Sequence, residues 1–347
     1  MDNNRFVGPA GYAMRKAAYA LVAAVPLVMW GIGATRAQSA EDFYKGKTVT
    51  YIVATAPGGG YDTYGRLISR YLGKYLSDAR IIVLNVPGAG HIVGTDELYV
   101  TKPDGLTIGT FNMGLIYAQL LKQEGVKFDL AKMSWIGRAE VDPRVLMLSK
   151  KSGIKSWQEL TDMSKPPFKF YVGGVGSAAY IDTRIAIQAL HLNVEIIPGF
   201  NGNEGEMSLL RGETVGVIGA QSSLQSFVEQ GEGFFVMEMG GTGTSGLPQA
   251  SDFLTTDRDR KLMSLITAES QMERLTAGPP DIPADRLAFL RKAYMETLAD
   301  PALLSDAKRQ ELPIVPANGA ETEKLVSVAL DQSPDTVKFL AEAAGSQ

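Results

Sequence analysis

The period of the apolar positions changes repeatedly along this chain, from short β-branched runs to stretches with helical spacing. Residues 48–55 read as a strand and 62–76 as a helix. The alternation continues with a strand at 80–86, a helix at 92–101, a strand at 106–111 entered through the Asp104-Gly105 turn, and a helix at 114–123. A second series has a strand at 145–149, a short helix at 156–162 with Ser156 as its candidate N-cap, and a strand at 168–172. A helix at 179–190 and strands at 194–197 and 214–219 complete it. The C-terminal part is mainly helical, with Pro283 opening 284–299 and Pro301 opening the next helix. Strands alternating with helices imply an α/β fold with mostly parallel sheets. In such sheets a ligand crevice lies at the carboxyl ends of the strands.

The loops at those ends are rich in glycine: 56-APGGGYD-62, 87-PGAGH-91, 111-FNMG-114, 173-GGVGSAAYID-182 and 198-PGFNGNEGE-206. Amides at a helix N-terminus lack internal partners and favour anions, and glycine lets a ligand approach the backbone. Each loop taken alone also fits a simple tight turn. Together they point to a small anion held mainly by backbone amides. Candidate contacts in the first series are Pro57, Gly58, Gly59, Gly60, Tyr61 and Asp62, then Gly88, Ala89 and His91, then Phe111 and Asn112. In the second series they are Gly176, Ser177 and Ala178, then Phe200, Asn201 and Gly202, and Gln221 after the strand at 214–219. Asp62 carries the wrong sign for an anion site. Its open roles are a cap on the helix amides of Tyr64 or Gly65, a water-orienting group, and an acceptor for a donor on the ligand. His91 is open between ligand donor and turn residue, while His191 reads as a helix-terminal residue.

Composition narrows the classes. The 347 residues are 45% hydrophobic and 21% charged, with net charge −4. No basic stretch interleaves with aromatics, so nucleic acid is not expected as a partner. Arg15 and Lys16 precede the apolar run 17–34, and small residues follow at 34-ATRAQSA-40. That is the order of a secretory signal, with cleavage expected after Ala37 and either Met1 or Met14 as the start; the alternative is an uncleaved membrane anchor, for which the run is short and holds Pro26. The expected location is the periplasm. The chain has no Cys, which excludes a lipidated N-terminal Cys, disulfides and thiolate metal sites. Two histidines without ligand spacing give no zinc motif. Gly60-x4-Gly65 is followed by Arg66-Leu67, where a P-loop needs Lys and Ser/Thr. Thr63 stands where a dinucleotide fingerprint has its third Gly. No Gly-x-Ser-x-Gly elbow occurs, and Ser152-x-x-Lys155 lacks its Lys-Thr-Gly companion. No catalytic residues, metal or cofactor are therefore expected.

The ordered segments PGGGYDTYGR, NVPGAGHIVGTDELYVTKPDGLTIG and RLTAGPPDIPADRLAFLRKAYMETLADP resemble the receptors of tripartite tricarboxylate transporters, the TctC-like or Bug solute-binding proteins. The resemblance runs from about Phe43 to the C-terminus. It implies a periplasmic-binding-protein-like (type II) fold, with residues 38–142 and 265–347 in one α/β domain and 143–264 in the other. It also implies closure around a small carboxylate, by motion about crossovers near 138–146 and 258–270. The implied partner is a two-subunit integral-membrane permease, and a monomer is expected. The match to 57-PGGGYD-62 carries over Pro57, Gly58, Gly59 and Asp62, and the second domain carries over Gly176, Ser177 and the 198–203 loop. Two departures stand out. His91 replaces the last Gly of the usual Pro-Gly-Ala-Gly-Gly, and the second-domain loop carries Phe200, Asn203, Glu204 and Glu206. Acidic groups there would disfavour a citrate-like ligand. A mono-, di- or aromatic carboxylate, or one with a donor group, is expected instead. The alternatives are a ligand-sensing receptor for a two-component system and a secreted serine hydrolase.

Overall fold

The computed structural model describes residues 39–175, 177–200, 203–241 and 245–344. The expected signal at 1–37 lies outside the described residues, as do Gly176, Asn201 and Gly202. The first series is α1 (Ala40–Tyr44), β1 (Thr48–Val53), α2 (Gly60–Tyr75), β2 (Arg80–Asn85), α3 (Ile92–Tyr99), β3 (Thr107–Phe111), α4 (Leu115–Leu120) and β4 (Ser134–Glu140). The second is β5 (Arg144–Ser149), β6 (Phe168–Tyr171), α5 (Ala178–Leu190), β7 (Val194–Ile197), α6 (Glu204–Arg211), β8 (Gly216–Ala220), α7 (Gln221–Glu229), β9 (Gly233–Met239) and α8 (Asp257–Ser270). The chain then closes with β10 (Glu273–Gly278), α9 (Ala284–Leu298), α10 (Pro301–Arg309), β11 (Ala317–Asn318), α11 (Gly319–Leu330) and α12 (Pro334–Ala344).

Local chemistry explains most boundaries. Helix α2 buries Tyr61, Tyr64, Leu67, Ile68 and Leu72, one face at helical spacing. It begins at Gly60, earlier than expected, because the first turn needs no intrahelical acceptors for its amides. Helix α4 ends at Leu120 rather than at 123, just before Lys122 enters the left-handed region at φ 51°. The segment expected as a helix at 156–162 is a 3-10 turn over Trp157–Thr161, and the Ser156 side chain makes no capping bond. Asp300 caps α10 on the amide of Ala302 at 2.7 Å, with Pro301 in the first turn. Asn318 and Glu321 form a reciprocal capping box on α11. His191 ends α5 in the left-handed conformation, with its side chain exposed.

Two sheets result, and both are mixed rather than mostly parallel. The first has strand order β11-β4-β10-β3-β1-β2, with β1 parallel to β2 and β3 and β10 antiparallel to β3 and β4. The second has order β7-β6-β8-β5-β9, with β6 parallel to β7 and β8 and β5 antiparallel to β8 and β9. The antiparallel members β5 and β10 are the strands that the chain uses to enter each sheet from the other. Alternation along β1 sends Tyr51 and Val53 to the core under α2 and α9, and Ile52 to the opposite core with Phe111, Trp135 and Leu275. The second sheet packs Leu146, Phe170 and Ile218 against Ile185 of α5, Leu262 and Ile266 of α8 and Leu340 of α12.

The chain leaves the first sheet through residues 141–143 and returns through α8 into β10. The division expected at 264/265 cuts α8, whose residues 262–266 all but Ser264 lie in the second core. Helix α12, expected with the first domain, packs against α5 and α8 of the second. Its buried Leu340 and Ala343 find their apolar partners there. Among the described residues, no helix is long and apolar enough to cross a membrane.

Candidate functional site

The glycine loop is held by the one residue whose charge looked out of place. Asp62 is buried, and its Oδ2 accepts from the Gly58 amide and from Arg66 Nε, both at 2.9 Å. Its Oδ1 accepts from Asn85 Nδ2 at 2.9 Å, and Asn85 also donates to the Thr55 carbonyl at 3.0 Å. One carboxylate thus ties β1, the loop, α2 and β2 together. Burial alone would raise its pKa, but the bonds from Arg66, Gly58 and Asn85 outweigh that and hold it below the usual range. Asp62 therefore does not cap Tyr64 or Gly65. Its acceptors are used inside the loop, with Gly58 at φ 94° supplying the bend. The N-cap of α2 is Gly59, and the first helical bond runs from Thr63 N to the Gly59 carbonyl at 3.0 Å. The amides of Gly60, Tyr61 and Asp62 consequently lack intrahelical acceptors.

Helix α5 offers the facing end. Ser177 is its N-cap, with Oγ accepting from Tyr180 N at 3.3 Å, and the first helical bond is Ile181 N to Ser177 O at 3.0 Å. A cleft of about 290 Å³ lies between the two ends. Gly60, Tyr61, Asn112, Glu273 and Arg274 line it from the first sheet. Tyr171, Gly173, Ala178, Ala179, Arg144 and residues 217–220 line it from the second. Two recesses continue it. One of about 490 Å³ shares Gly60, Ser223 and Arg274 and adds Glu140, Asp142 and Gln221. The other, about 240 Å³, shares Asn112, Ala178 and Ala179 and adds Ala89, His91 and Ser177.

Several expected contacts take other places. Phe111 is core: it is buried against Trp135 with ring centroids 5.9 Å apart, because the strand alternation turns it under α3 and α11. Phe200 packs edge-on to Tyr171 at 5.7 Å and lines a separate recess with Glu204, formed by the second sheet alone. Neither Glu204 nor Glu206 lines the central cleft, so their charges do not face it. The Gln221 amide donates to the Pro143 carbonyl at 2.9 Å, which leaves only its side chain for the larger recess. Pro57, Gly58 and Gly59 are exposed at the rim beside Gly60, and Gly88 shapes the turn before Ala89 at φ 146°. Tyr61 donates its hydroxyl to Glu273 and accepts from Asn112 Nδ2 at 2.9 Å. Asn112 Oδ1 accepts from the Gly114 amide at 2.6 Å.

The floor of the cleft is an ionic network that sequence reading missed. Arg144 Nε donates to Asp182 at 3.0 Å, and its Nη2 donates to Glu269 and, at 2.7 Å, to Glu273. Arg274 Nη1 donates to the other oxygen of Glu273 at 2.9 Å, and its Nε lies 3.2 Å from Glu140. Its guanidinium carbon sits 4.2 Å from the Tyr61 ring centroid. All these residues are buried. Burial would raise Glu273, but Arg144 and Arg274 outweigh it and hold the carboxyl below its usual range. Burial wins at Glu269, far above the usual range, and at Glu140, pushed up to about 8. The available signal was a set of charges inside apolar strands, as in Glu140 and Arg144, but nothing local pairs them. Among the described residues, no group of three or more His, Asp or Glu is arranged to hold a metal.

This geometry can hold an anion between two helix ends over a floor of two buried arginines and their carboxyl partners. Comparisons with known proteins give the family and the fold. The model of the tripartite tricarboxylate transporter family receptor matches residues 65–338. A UPF0065 protein of Cupriavidus necator, from the gbd 5' region, is 27% identical over 238 residues, 67% of this chain and 68% of that protein. BugT of Bordetella pertussis is 26% identical over 180 residues, 49% of this chain and 54% of BugT. The periplasmic binding protein BugD aligns over 88% of this chain and 99% of its own at 19% identity, with a TM-score of 0.66. MatC of Rhodopseudomonas palustris, solved with bound malate, aligns over 84% and 99% at 19% identity and a TM-score of 0.65. An R. palustris protein solved with adipate covers 86% of this chain and 97% of its own at 17% identity, with a TM-score of 0.65. With most of its length matched, the chain belongs to the tripartite tricarboxylate transporter receptor family of solute-binding proteins.

Proposed function

We propose that the protein is a periplasmic receptor that captures a small carboxylate in the central cleft and delivers it to a two-subunit membrane permease, without catalysis and as a monomer. The carrying observation is that the free first-turn amides of α2 and α5 come from different sheets and meet across one cleft. Only an arrangement with the two sheets drawn together presents both sets to one anion, so a ligand held by both stabilises the closed state. Contacts fall to Gly60, Tyr61, Ala178 and Ala179, with Pro57, Gly58 and Gly59 at the rim and Asp62 shaping the loop. The malate- and adipate-bound relatives support a carboxylate as the class.

The test is a thermal-shift screen of residues 38–347, refolded to strip bound ligand, against mono-, di-, tri- and aromatic carboxylates and their amides. Ligand at about 100 times Kd should add roughly 2.7 kcal/mol of stability. A shift with carboxylates but not with the amides of the same groups supports the receptor. A flat response to every carboxylate, or unchanged affinity in both Asp62→Ala and Gly59→Val, sinks it.

A further inference from the structure

One residue of the cleft is held in a costly backbone conformation and presents an unused donor. Ala89, Gly90 and His91 take φ values of 44°, 60° and 80°. The left-handed region is strained for a non-glycine residue, so glycine would suit position 91 better. The imidazole occupies a definite place. Its Nδ1 accepts from the Asn112 amide at 3.2 Å, and its ring stands edge-on to Tyr61 at 5.1 Å. An accepting Nδ1 carries no hydrogen, so the neutral ring carries it on Nε2. Burial pushes the imidazole down to about 4, which keeps the ring neutral at physiological pH. Nε2 makes no hydrogen bond among the described residues. Nor is it one of the buried polar atoms left without a partner, so it keeps some exposed surface, and His91 lines the recess. That recess opens on the cleft through Asn112, Ala178 and Ala179, and its other walls include Leu115 and Ala118.

We infer that the receptor takes an elongated acid with two acceptors, one carboxylate between the helix ends of α2 and α5 and a second acceptor on the Nε2–H of His91. This rests on the carboxylate-receptor reading. A neutral donor recognises the far group as an acceptor and not as a charge. The class therefore includes dicarboxylates and equally acids that end in an amide or other carbonyl.

The experiment is calorimetric titration of residues 38–347 with matched sets of equal chain length. They are succinate, glutarate and adipate, their mono-amides, and butyrate, valerate and hexanoate. In the best-fitting length, diacid and amide-acid should bind about tenfold more tightly than the monoacid. His91→Gly suits the backbone and removes the donor, so the preference should fall to near unity. His91→Gln restores an N–H and should recover most of it. The ratio of His91→Gly to wild-type affinity should stay constant from pH 5 to 7. A preference that survives His91→Gly overturns the inference, as does a wild-type protein that binds all three sets alike. A preference for the diacid alone, growing on acidification, identifies a charged imidazolium and also overturns it. Failure of His91→Gln to recover the preference means a backbone effect, and the inference falls in that case too. If no carboxylate binds the wild-type protein, the receptor reading falls and takes this inference with it.

Discussion

Arg144→Met probes the floor of the cleft most directly. Wild-type Arg144 is 4% exposed, and its guanidinium lies 3.0 Å from Asp182 and 2.7 Å from Glu273, with Glu269 also bonded to Nη2. Methionine matches the apolar stem but leaves three buried carboxyls without their shared cation. Removing one partner of a buried pair costs about 3–5 kcal/mol, a large share of the roughly 5–15 kcal/mol that holds a protein folded. With an unfolding entropy of about 2.1 cal/mol/K per residue over about 300 folded residues, the midpoint should fall by roughly 5–8 °C. Protonation relieves the stranded charge, so the deficit should shrink as pH falls from 8 to 5. Glu273→Gln in the same background should recover part of it. Calorimetric melts of wild type and both variants at pH 5, 7 and 8 measure all three effects. A deficit below about 1 kcal/mol at pH 7, or one that grows on acidification, would refute the charge assignment.

Three other outcomes follow from named contacts. Glu140 is raised from its ordinary 4.5 to about 8, so its contribution is fully present below about pH 4.5 and is lost as pH rises to about 8. In melts across that range, Glu140→Gln should gain on wild type toward pH 8, and a constant difference would contradict the assignment. Asp62→Ala should cost about 1–3 kcal/mol by removing the ionised acceptor shared by the Gly58 amide, Arg66 and Asn85, and it should weaken any carboxylate bound at the loop. Denaturant titration with ligand titration checks both, and full retention of each would show that the loop holds its shape unaided. In Gly94→Ala the new Cβ would lie 2.6 Å from the Val86 carbonyl and 2.7 Å from Ala54 Cβ. Helix α3 must then lift from β1, at about 1–3 kcal/mol by thermal melt, and a neutral result would mean that the helix end yields easily.

Local chemistry made much of the site legible in the order of the residues. The glycine loop, the helices that follow it and the helix start at Pro301 depend on neighbours a few positions away. Where the reading failed, the deciding partner was remote. Phe111 follows a strand as a cleft residue would, but Trp135 and Leu275 claim its side. Asp62 looked like a misplaced charge until Asn85 and Gly58 were seen to share it. The mixed sheets escaped notice because β5 and β10 look like any other apolar strands, and their direction is set by which sheet the chain comes from.

What the sequence determined by itself was the α/β alternation, the amide-rich turns at strand ends and the family, since each is encoded in short ordered stretches. Which turns meet across a cleft was decided only by the tertiary structure, and so was the charge beneath it. Arg144 finds its three carboxylates 38, 125 and 129 positions away. No periodicity or motif links residues so far apart. The burial that makes them pair, and that sets which of them hold a proton, exists only once the two sheets have folded against the same crossovers.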